Sequence, residues 1–553
     1  MASARSFRQA PRWACLFLFT STLALHAAQE VCPRPSSGSV VQNPAELRST
    51  QGKLDLKFAF RTFVGADGMT RYCYIYGDSI QSPTLRVYPG DEITLSLKNE
   101  IPGVETSAQL HSPPPHNHGI DVQAACTTGA MNSNATNLHF HGLNIPPTCH
   151  QDETLHTLVE PAGPGFEYRF TIPKSQPPGL YWYHPHPHGF SEAQVLGGAS
   201  GALIVEGLEN ERPELAGLPE RIVILRDQRV PGLTETDEGN GPGKNISLNF
   251  VPVTNPYYRP ARMIVRPEER QFWRVLNASA DTYFDVQIRF GTTIQDVRDP
   301  QPLELIAMDG VAAAVQSKSS HILIPPGARA EFIMTTPPIG TFGQLVTLAY
   351  DTGPDGEAIP YRVVANITSG TDAAEAPLMP AGPPGVDFER LAGNRVSALQ
   401  GAKPALHRKL YFSEIPPDPS NPQLVPQYFI TAEGSVPKIF DMNAKEPDIT
   451  VQAGTVEDWI IENRARESHV FHIHQVHFQL LERDGVSVSE LLLRDTVDIP
   501  YWDGKSPAYP SVKLRMDFRN PDIVGTFVYH CHILEHEDGG MMGRIQVKPS
   551  KHR

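Results

Sequence analysis

The chain has 553 residues, including 52 prolines and 43 glycines, and its formal net charge is -14 at pH 7. An acidic surface disfavours nucleic acid and anionic membranes as partners and favours cationic or neutral small molecules. The length suffices for several hydrophobic cores. The turn-rich composition, with no long amphipathic helical pattern, indicates short β-strands.

The N-terminal segment has the layout of a cleavable export signal. Three arginines lie among the first 12 residues, an apolar run extends from Ala14 to Leu25, and small residues follow at 27 and 28. The run is too short for a good membrane span, although an uncleaved anchor remains an alternative. We therefore expect residues 1–28 to be a signal peptide and the mature protein to be secreted or periplasmic, with no membrane association after cleavage.

Two segments in the first half each carry two histidines separated by one residue. They are Asn137-Leu138-His139-Phe140-His141-Gly142 and Tyr181-Trp182-Tyr183-His184-Pro185-His186. If these segments are strands, alternate side chains point to opposite faces, so both rings of each pair share one face. Four imidazoles grouped in this way predict a metal site.

Internal repeats predict three related domains. Residues 84–99, 262–277 and 448–463 are equally long, alternate apolar residues on both sides of a polar turn, and end in asparagine. A second repeat places His184 and His530 five residues after a glycine, but the middle copy has Leu345 there. We expect the first and third domains to share a metal cluster and the second to bind no metal.

The expected domain extents follow from these repeats and from composition. The first domain spans 29–212, the second 213–372 and the third 404–553. Residues 373–403, which are rich in Ala, Pro and Gly, form a linker.

A third histidine motif lies in the last domain, in Glu467-Ser468-His469-Val470-Phe471-His472-Ile473-His474. Strand alternation places His472 and His474 on one face. His469, an odd number of residues away, points to the other face. It is therefore expected to belong to a different site.

The fourth motif runs from Tyr529 to Met541 and follows a β-branched, aromatic stretch that predicts a strand. Cys531 would point away from His530 and His532, so two metal centres would lie on opposite sides of one strand. A Cys with two His and a weak axial Met is the ligand set of a blue copper electron-transfer site. The expected ligands of this site are His469, Cys531, His536 and Met541. The expected ligands of the cluster are His139, His141, His184, His186, His472, His474, His530 and His532.

These four motifs resemble those of the multicopper oxidases, and the match is laccase-like with three domains. The resemblance implies an all-β fold of three cupredoxin-like Greek-key β-sandwich domains. It implies four copper ions, one at the blue mononuclear site and three in the trinuclear cluster. Within that cluster, His139 and His472 would hold a single copper and the other six histidines a coupled pair. A structural zinc site would need only about four ligands.

The resemblance also implies a reaction. A small reducing substrate would give up one electron at a time at the blue site, Cys531 would pass it towards His530 and His532, and four electrons would reduce dioxygen to water. Glu537 and Asp152 are the expected proton donors. Met541 in the axial position implies a low-to-moderate potential, so a phenol, an aromatic amine or a metal ion is the expected donor.

The sequence therefore leaves three classes of function to be distinguished. The leading hypothesis is a laccase-like oxidase of phenolic or similar donors. The alternative is a metallo-oxidase acting on cuprous, ferrous or manganous ions, and the third class is a copper-free relative that keeps only the fold. The natural reductant depends on variable loops, and neither it nor the oligomeric state follows from the spacing of motifs.

The remaining cysteines predict disulfides. Cys15 lies in the expected signal and Cys531 in the copper motif, which leaves Cys32, Cys73, Cys126 and Cys149. An oxidising compartment favours their pairing, and four cysteines allow three pairings among which the sequence does not choose. We favour Cys126 with Cys149, which flank the first histidine motif, and Cys32 with Cys73.

Overall fold

The structure, a computed structural model, describes residues 31–102, 126, 131–161, 163–232, 243–370, 373, 376–380, 389–415 and 426–550. Within these ranges 34 strands form six sheets that pair into three sandwiches. The all-β fold class predicted from the sequence is confirmed. The predicted signal, residues 1–28, lies outside the described residues, and no described helix has the length and apolar character needed to cross a membrane.

The first sandwich holds the first two histidine motifs. One sheet has the order β1-β5-β10-β9-β7, with β1 Glu46–Arg48, β5 Thr84–Val87, β7 His139–His141, β9 Gly179–His184 and β10 Gly201–Val205. The other has the order β4-β3-β2-β6-β8, with β2 Lys53–Val64, β3 Thr70–Tyr76, β4 Ile80–Gln81, β6 Glu92–Asn99 and β8 Phe166–Thr171. Apolar side chains that alternate along β2 and β6 pack against Leu85, Tyr181 and Leu203 of the facing sheet.

The second sandwich is built from longer sheets. One has the order β13-β12-β11-β15-β21-β18-β19, with β11 Glu220–Arg229, β12 Lys244–Leu248, β13 Val251–Val253, β15 Arg270–Asn277, β18 Leu303–Met308, β19 Val311–Ser319 and β21 Arg329–Thr335. The other has the order β14-β23-β22-β16-β17, and β20 also pairs with β16. Its strands are β14 Ala261–Val265, β16 Phe284–Gly291, β17 Asp299–Pro300, β20 Ile322–Ile324, β22 Phe342–Leu348 and β23 Arg362–Ser369. Trp273 and Phe332 lie in the core between them.

The third sandwich carries the last two motifs. One sheet has the order β25-β24-β27-β32-β29-β30, with β24 Leu406–Ile415, β25 Gln427–Ala432, β27 Thr455–Asn463, β29 Phe478–Arg483, β30 Val486–Ser487 and β32 Ser511–Phe518. The other has the order β26-β34-β33-β28-β31, with β26 Ile449–Gln452, β28 His469–Ile473, β31 Thr496–Ile499, β33 Gly525–Cys531 and β34 Met542–Lys548. Trp459 packs against Phe471 and Tyr529 across the core.

The part of the chain that the structure describes contains four α-helices between strands: α1 Ser191–Leu196, α2 Leu208–Glu211, α3 Glu389–Gln400 and α4 Leu534–Asp538. Helix α3 lies within the predicted linker, and the composition of that stretch did not indicate it. Val396 and Leu399 of α3 are buried against Val311 and Leu493 of the second and third sandwiches. Tertiary burial therefore stabilises a helix whose sequence alone is unremarkable.

Each copy of the predicted threefold repeat forms a corner, where the chain crosses from one sheet of a sandwich to the facing sheet. In each copy the first strand belongs to one sheet and the second to the facing sheet, and the closing asparagine is Asn99, Asn277 or Asn463. Its Oδ1 accepts a hydrogen bond from the backbone N–H two residues later, at 2.9–3.0 Å. Its Nδ2 donates to carbonyls of neighbouring loops. A buried asparagine thus satisfies backbone groups where the chain leaves the sheet.

Both favoured disulfides are present. Cys32 is bonded to Cys73 and Cys126 to Cys149, with sequence separations of 41 and 23. Among the described cysteines, Cys531 is the free one, and it is buried.

Candidate metal centre

Four strands bring the histidine motifs together in two pairs. In the first sandwich β7 pairs with β9, which places His139 opposite His184. In the third sandwich β28 pairs with β33, which places His472 opposite His530. The two pairs of strands face each other, so each sandwich supplies half of a histidine cluster.

The eight histidines predicted for the cluster are all at most 2% exposed. Rings from the two sandwiches stack directly: the centroids of His139 and His474 are 3.8 Å apart, and those of His141 and His472 are 3.9 Å apart. The His186 and His530 centroids lie 5.2 Å apart. The structure therefore gathers residues more than 300 positions apart in the sequence into one buried group.

Strand alternation accounts for only part of this grouping. The first pair, His139 and His141, lies within β7, as predicted. The second histidine of each other motif, at 186, 474 or 532, falls just after its strand has ended. In the second motif the intervening Pro185 cannot donate a ladder hydrogen bond. These rings reach the cluster through loop geometry that alternation does not predict.

Seven of the eight cluster rings carry at least one buried nitrogen without a hydrogen-bond partner. Buried nitrogens without a hydrogen-bond partner occur on several of these rings: His139 Nε2, His141 Nδ1, His184 Nε2, His186 Nε2, His472 Nε2, His474 Nδ1, His532 Nδ1 and His532 Nε2. Burial, with the neighbouring imidazoles, lowers the pKa of rings such as His139 and His474 well below the usual value. Neutral imidazoles with free lone pairs are the form that binds a metal ion.

The opposite ring nitrogens are held by the protein. His139 Nδ1 lies 3.0 Å from an oxygen of Asp152, and His184 Nδ1 lies 3.0 Å from the Pro185 carbonyl oxygen. His530 Nδ1 lies 2.8 Å from the Cys531 carbonyl oxygen. Such contacts orient the rings and leave the other nitrogen for a ligand. The donor set and its free nitrogens thus fit a cluster of metal ions.

A separate site lies on the other side of β33. Cys531 Sγ is 3.7 Å from His469 Nδ1 and 3.6 Å from His536 Nδ1. The two Nδ1 atoms are 3.0 Å apart. These separations suit ligand atoms each about 2.0–2.3 Å from one shared ion. Two imidazoles with one thiolate favour copper.

Met541, the predicted axial ligand, is fully buried beside this site. Its backbone N–H donates to the His536 carbonyl at 2.8 Å, and its own carbonyl accepts from the Cys531 N–H at 3.1 Å. The turn after α4 therefore holds Met541 against both of these residues.

The two carboxylates predicted as proton donors both adjoin the cluster and are buried. Asp152 contacts His139 and accepts hydrogen bonds from the Phe140 N–H and Gln475 Nε2. Burial raises the pKa of Asp152 to about 8. Glu537 Oε2 lies 3.2 Å from His530 Nδ1 and its Oε1 lies 3.6 Å from His186 Nδ1. Burial, together with the carboxylate of the next residue, raises the pKa of Glu537 well above its usual range.

Sequence reasoning missed three charged residues that lie against these sites. Asp495 lies 3.2 Å from His141 Nε2 and carries a bidentate ion pair with Arg329 of the second sandwich. Glu467 Oε2 lies 3.3 Å from His536 Nε2. Neither Asp495 nor Arg329 belongs to one of the four histidine motifs, so no spacing pattern indicated them. The position of Glu467, two residues before a predicted ligand, was the one available signal.

Comparison with known proteins gives the same family throughout. Two family models, both described as multicopper oxidase, match residues 117–210 and 416–551. The chain is 24% identical over 482 residues to the multicopper oxidase mco of Staphylococcus aureus, with 85% of this chain and 83% of that protein covered. It is 22% identical over 513 residues to the laccase of Bacillus subtilis, with 85% and 89% covered.

Solved structures agree at the level of fold. A multicopper oxidase from Campylobacter jejuni, described as a metallo-oxidase, superposes with a TM-score of 0.65 at 22% identity. The match covers 94% of this chain and 98% of that one.

Proposed function

Since the chain belongs to the multicopper oxidase family and is therefore an oxidoreductase that uses dioxygen, we propose that it is a laccase-like oxidase. It couples four one-electron oxidations of phenolic or similar donors to the reduction of dioxygen to water. The observation that carries this proposal is the arrangement of β33. Cys531 belongs to a two-histidine, one-thiolate site, and His530 and His532 on either side of it belong to the eight-histidine cluster.

The donor atoms support four copper ions in the two sites. His469, Cys531, His536 and Met541 would hold one, and the eight cluster histidines would hold three. Copper bound in these sites supplies one-electron redox chemistry that dioxygen reduction requires. The protein supplies a covalent path of three consecutive residues between the sites and a buried ring at each histidine position.

Asp152 and Glu537 hold the protons that dioxygen reduction consumes. Their raised pKa values keep a carboxylic acid available near neutral pH, next to the rings of His139 and His530. An acid is effective when its pKa lies near the working pH and it is within hydrogen-bond reach of its target.

Electrons enter at the edge of His536. Its ring stacks on Tyr428 at a centroid distance of 4.3 Å, and its Nε2 faces Glu467. Glu414, which interacts with His536, lines a cavity of about 500 Å³ whose other walls include Phe429, Lys438 and Ile439. A lining that is mostly apolar, with one carboxylate and one amine, suits a phenol or an aromatic amine, whose ring packs against apolar side chains while its hydroxyl or amine meets Glu414.

The acidity of the same region favours a second candidate, a metallo-oxidase. Glu414, Glu467 and Glu535 all lie around His536. Burial raises the pKa of both Glu414 and Glu535 to about 7, so their charge depends on pH near neutrality. Carboxylates attract cationic metal ions, and a ferrous, manganous or cuprous donor would meet Glu467 directly against the ring.

Oxygen consumption by the copper-loaded protein separates these candidates. The leading proposal predicts turnover with phenols and aromatic amines and little with ferrous, manganous or cuprous salts. The reverse pattern would replace it with the metallo-oxidase. A loaded protein without the intense blue absorption of a copper thiolate would indicate the third class, a copper-free relative.

Glu467→Gln tests the metal-ion pathway. Loss of this charge is expected to weaken oxidation of metal ions and to leave phenol oxidation near its original rate. Glu462→Gln is a matched control, since Glu462 is similarly buried, at 15% exposed against 13%, but pairs with Lys409 and Arg464 rather than with a histidine. Equal effects of both changes on metal ions would contradict a direct role for Glu467.

Export and domain extents complete the proposal. Residues 1–28 would direct the chain to a secreted or periplasmic location. The three domains would extend over 29–212, 213–372 and 404–553, with the linker at 373–403. The paired cysteines support an oxidising compartment.

A further inference from the structure

The second sandwich binds no predicted copper, yet one of its arginines reaches the cluster. Arg329 begins β21 and is fully buried. Its Nη1 and Nη2 donate to the two carboxylate oxygens of Asp495 at 2.8 and 2.7 Å. Its Nε donates to the Leu180 carbonyl at 3.1 Å, on the strand that ends at His184. One guanidinium therefore joins all three sandwiches behind the histidines.

Asp495 in turn holds two cluster histidines by different atoms. Its Oδ1 lies 3.2 Å from His141 Nε2, and its backbone carbonyl lies 2.8 Å from His472 Nδ1. Both partners are acceptors, so each ring carries its proton on the nitrogen that faces Asp495. The nitrogens left without a partner are His141 Nδ1 and His472 Nε2. Asp495 thus selects which nitrogen of each ring can bind a metal ion.

Asp495 is better suited to orienting these rings than to binding metal itself. Both of its carboxylate oxygens accept from Arg329, and Oδ1 also accepts from the Thr496 hydroxyl at 2.8 Å. Asp309 of the second sandwich accepts from the Asp495 and Thr496 backbone N–H groups at 3.2 and 3.3 Å. The backbone and the side chain of Asp495 are therefore both fixed by the second sandwich.

A second contact from the same sandwich is steric. Gly327 lies against the ring of His532, where an added Cβ would come within 2.7 Å of Nε2 and 2.8 Å of the neighbouring ring carbons. Its φ of +83° also disfavours any other residue. The backbone at Gly327 thus forms a wall against which the His532 ring is placed.

We propose that the second sandwich positions the metal cluster, with Arg329 and Asp495 as the positioning pair and Gly327 as a steric stop. This inference rests on the proposed function, because it assumes that the eight histidines hold copper. A planar guanidinium that pairs with both carboxylate oxygens fixes the orientation of Asp495 and, through it, of His141 and His472.

Arg329→Lys tests the pair, because lysine keeps the charge but loses the planar fork. We expect the affinity of the cluster for copper, measured by competition with a chelator, to fall about 10- to 100-fold. The electron paramagnetic resonance signal of the single copper held by His139 and His472 should change as well. The blue absorption per chain should remain, because Arg329 contacts none of the residues of that site.

Arg226→Lys is the matched control. Arg226 is another buried arginine of the second sandwich, but its side chain donates to Ser200 rather than to an acidic residue at the cluster. A purely structural role for Arg329 would make both variants lose thermal stability and leave cluster affinity and the resonance spectrum unchanged. That result would overturn the inference.

Two further variants keep the test decisive if Arg329→Lys does not fold. Asp495→Asn preserves shape and should alter the same resonance signal, and Gly327→Ala should lower cluster copper through His532 while the blue absorption persists. If the unmodified protein binds no cluster copper, the proposed function itself fails. If it binds the full complement and these variants match it, the inference alone fails.

Discussion

Removal of the buried asparagine at the third corner should destabilise the third sandwich and disturb the blue site. Asn463 Nδ2 donates to the carbonyls of Glu467, Ile499 and Pro500 at 2.7, 3.2 and 3.0 Å. Its Oδ1 accepts from the Ala465 N–H at 2.9 Å. In Asn463→Ala these backbone groups lose their partner in a site that is closed to water.

The magnitude follows from the number of groups that lose their partner. A buried polar group without a partner costs about 1–3 kcal/mol. The Ala465 N–H loses its acceptor, and at least one carbonyl loses its donor, so we expect a loss of about 2–6 kcal/mol. Asn99→Ala breaks two Nδ2 bonds rather than three and should cost less.

Urea unfolding followed by tryptophan fluorescence and by the blue absorption measures this effect. Two probes are needed because a chain with several sandwiches need not unfold in one step. Asn463→Ala should shift the blue absorption, since Asn463 holds the loop that leads through Glu467 to His469. Asn99→Ala should not.

A surface asparagine provides the control. Asn520 accepts from the Asp522 N–H at the start of a short 3-10 turn, so Asn520→Ala should cost only about 1 kcal/mol. If Asn463→Ala stays within about 0.5 kcal/mol of the unmodified protein, which is typical of neutral surface changes, the account of the corners is wrong.

Three other outcomes are expected. Because the pKa of Asp152 is raised, the folded copper-free protein holds a proton that the unfolded chain releases above about pH 4. This contribution to stability is lost as the pH rises through about 8, and Asp152→Asn should flatten the fall in the free energy of unfolding between pH 5 and 8. Glu537→Gln should slow steady-state oxygen consumption by about 10²- to 10⁴-fold but leave anaerobic reduction of the blue site unchanged, and equal slowing of both would argue against a proton-donor role. Loss of the Cys32–Cys73 disulfide, through Cys32→Ser with Cys73→Ser, should cost about 4 kcal/mol because it frees a loop of 41 residues, whereas loss of Cys126–Cys149, with a separation of 23, should cost slightly less in urea unfolding.

The sequence alone predicted the candidate ligands of both sites, because each of the four motifs that supply them is local in the chain. In any strand, residues two positions apart share a face and adjacent residues point to opposite faces, whatever packs on the strand. His139 and His141 therefore share a face, and His530 and Cys531 point to opposite faces. The threefold repeat was equally local, and it predicted three related domains, although not the hydrogen bonds that its asparagines make. Ligand type followed in the same way, since sulfur and imidazole in one motif already favour copper.

Only the tertiary structure decided which other residues support those ligands. Arg329 lies 166 positions from Asp495, and Asp495 lies 354 positions from His141, so no window of sequence contains their contacts. Glu467 contacts His536 only because the fold places α4, which carries that ring, beside it. Helix α3 is stabilised because its apolar side chains are buried against the second and third sandwiches. Strand alternation determines the face on which a side chain lies, but the packing of distant strands determines which residues it contacts on that face.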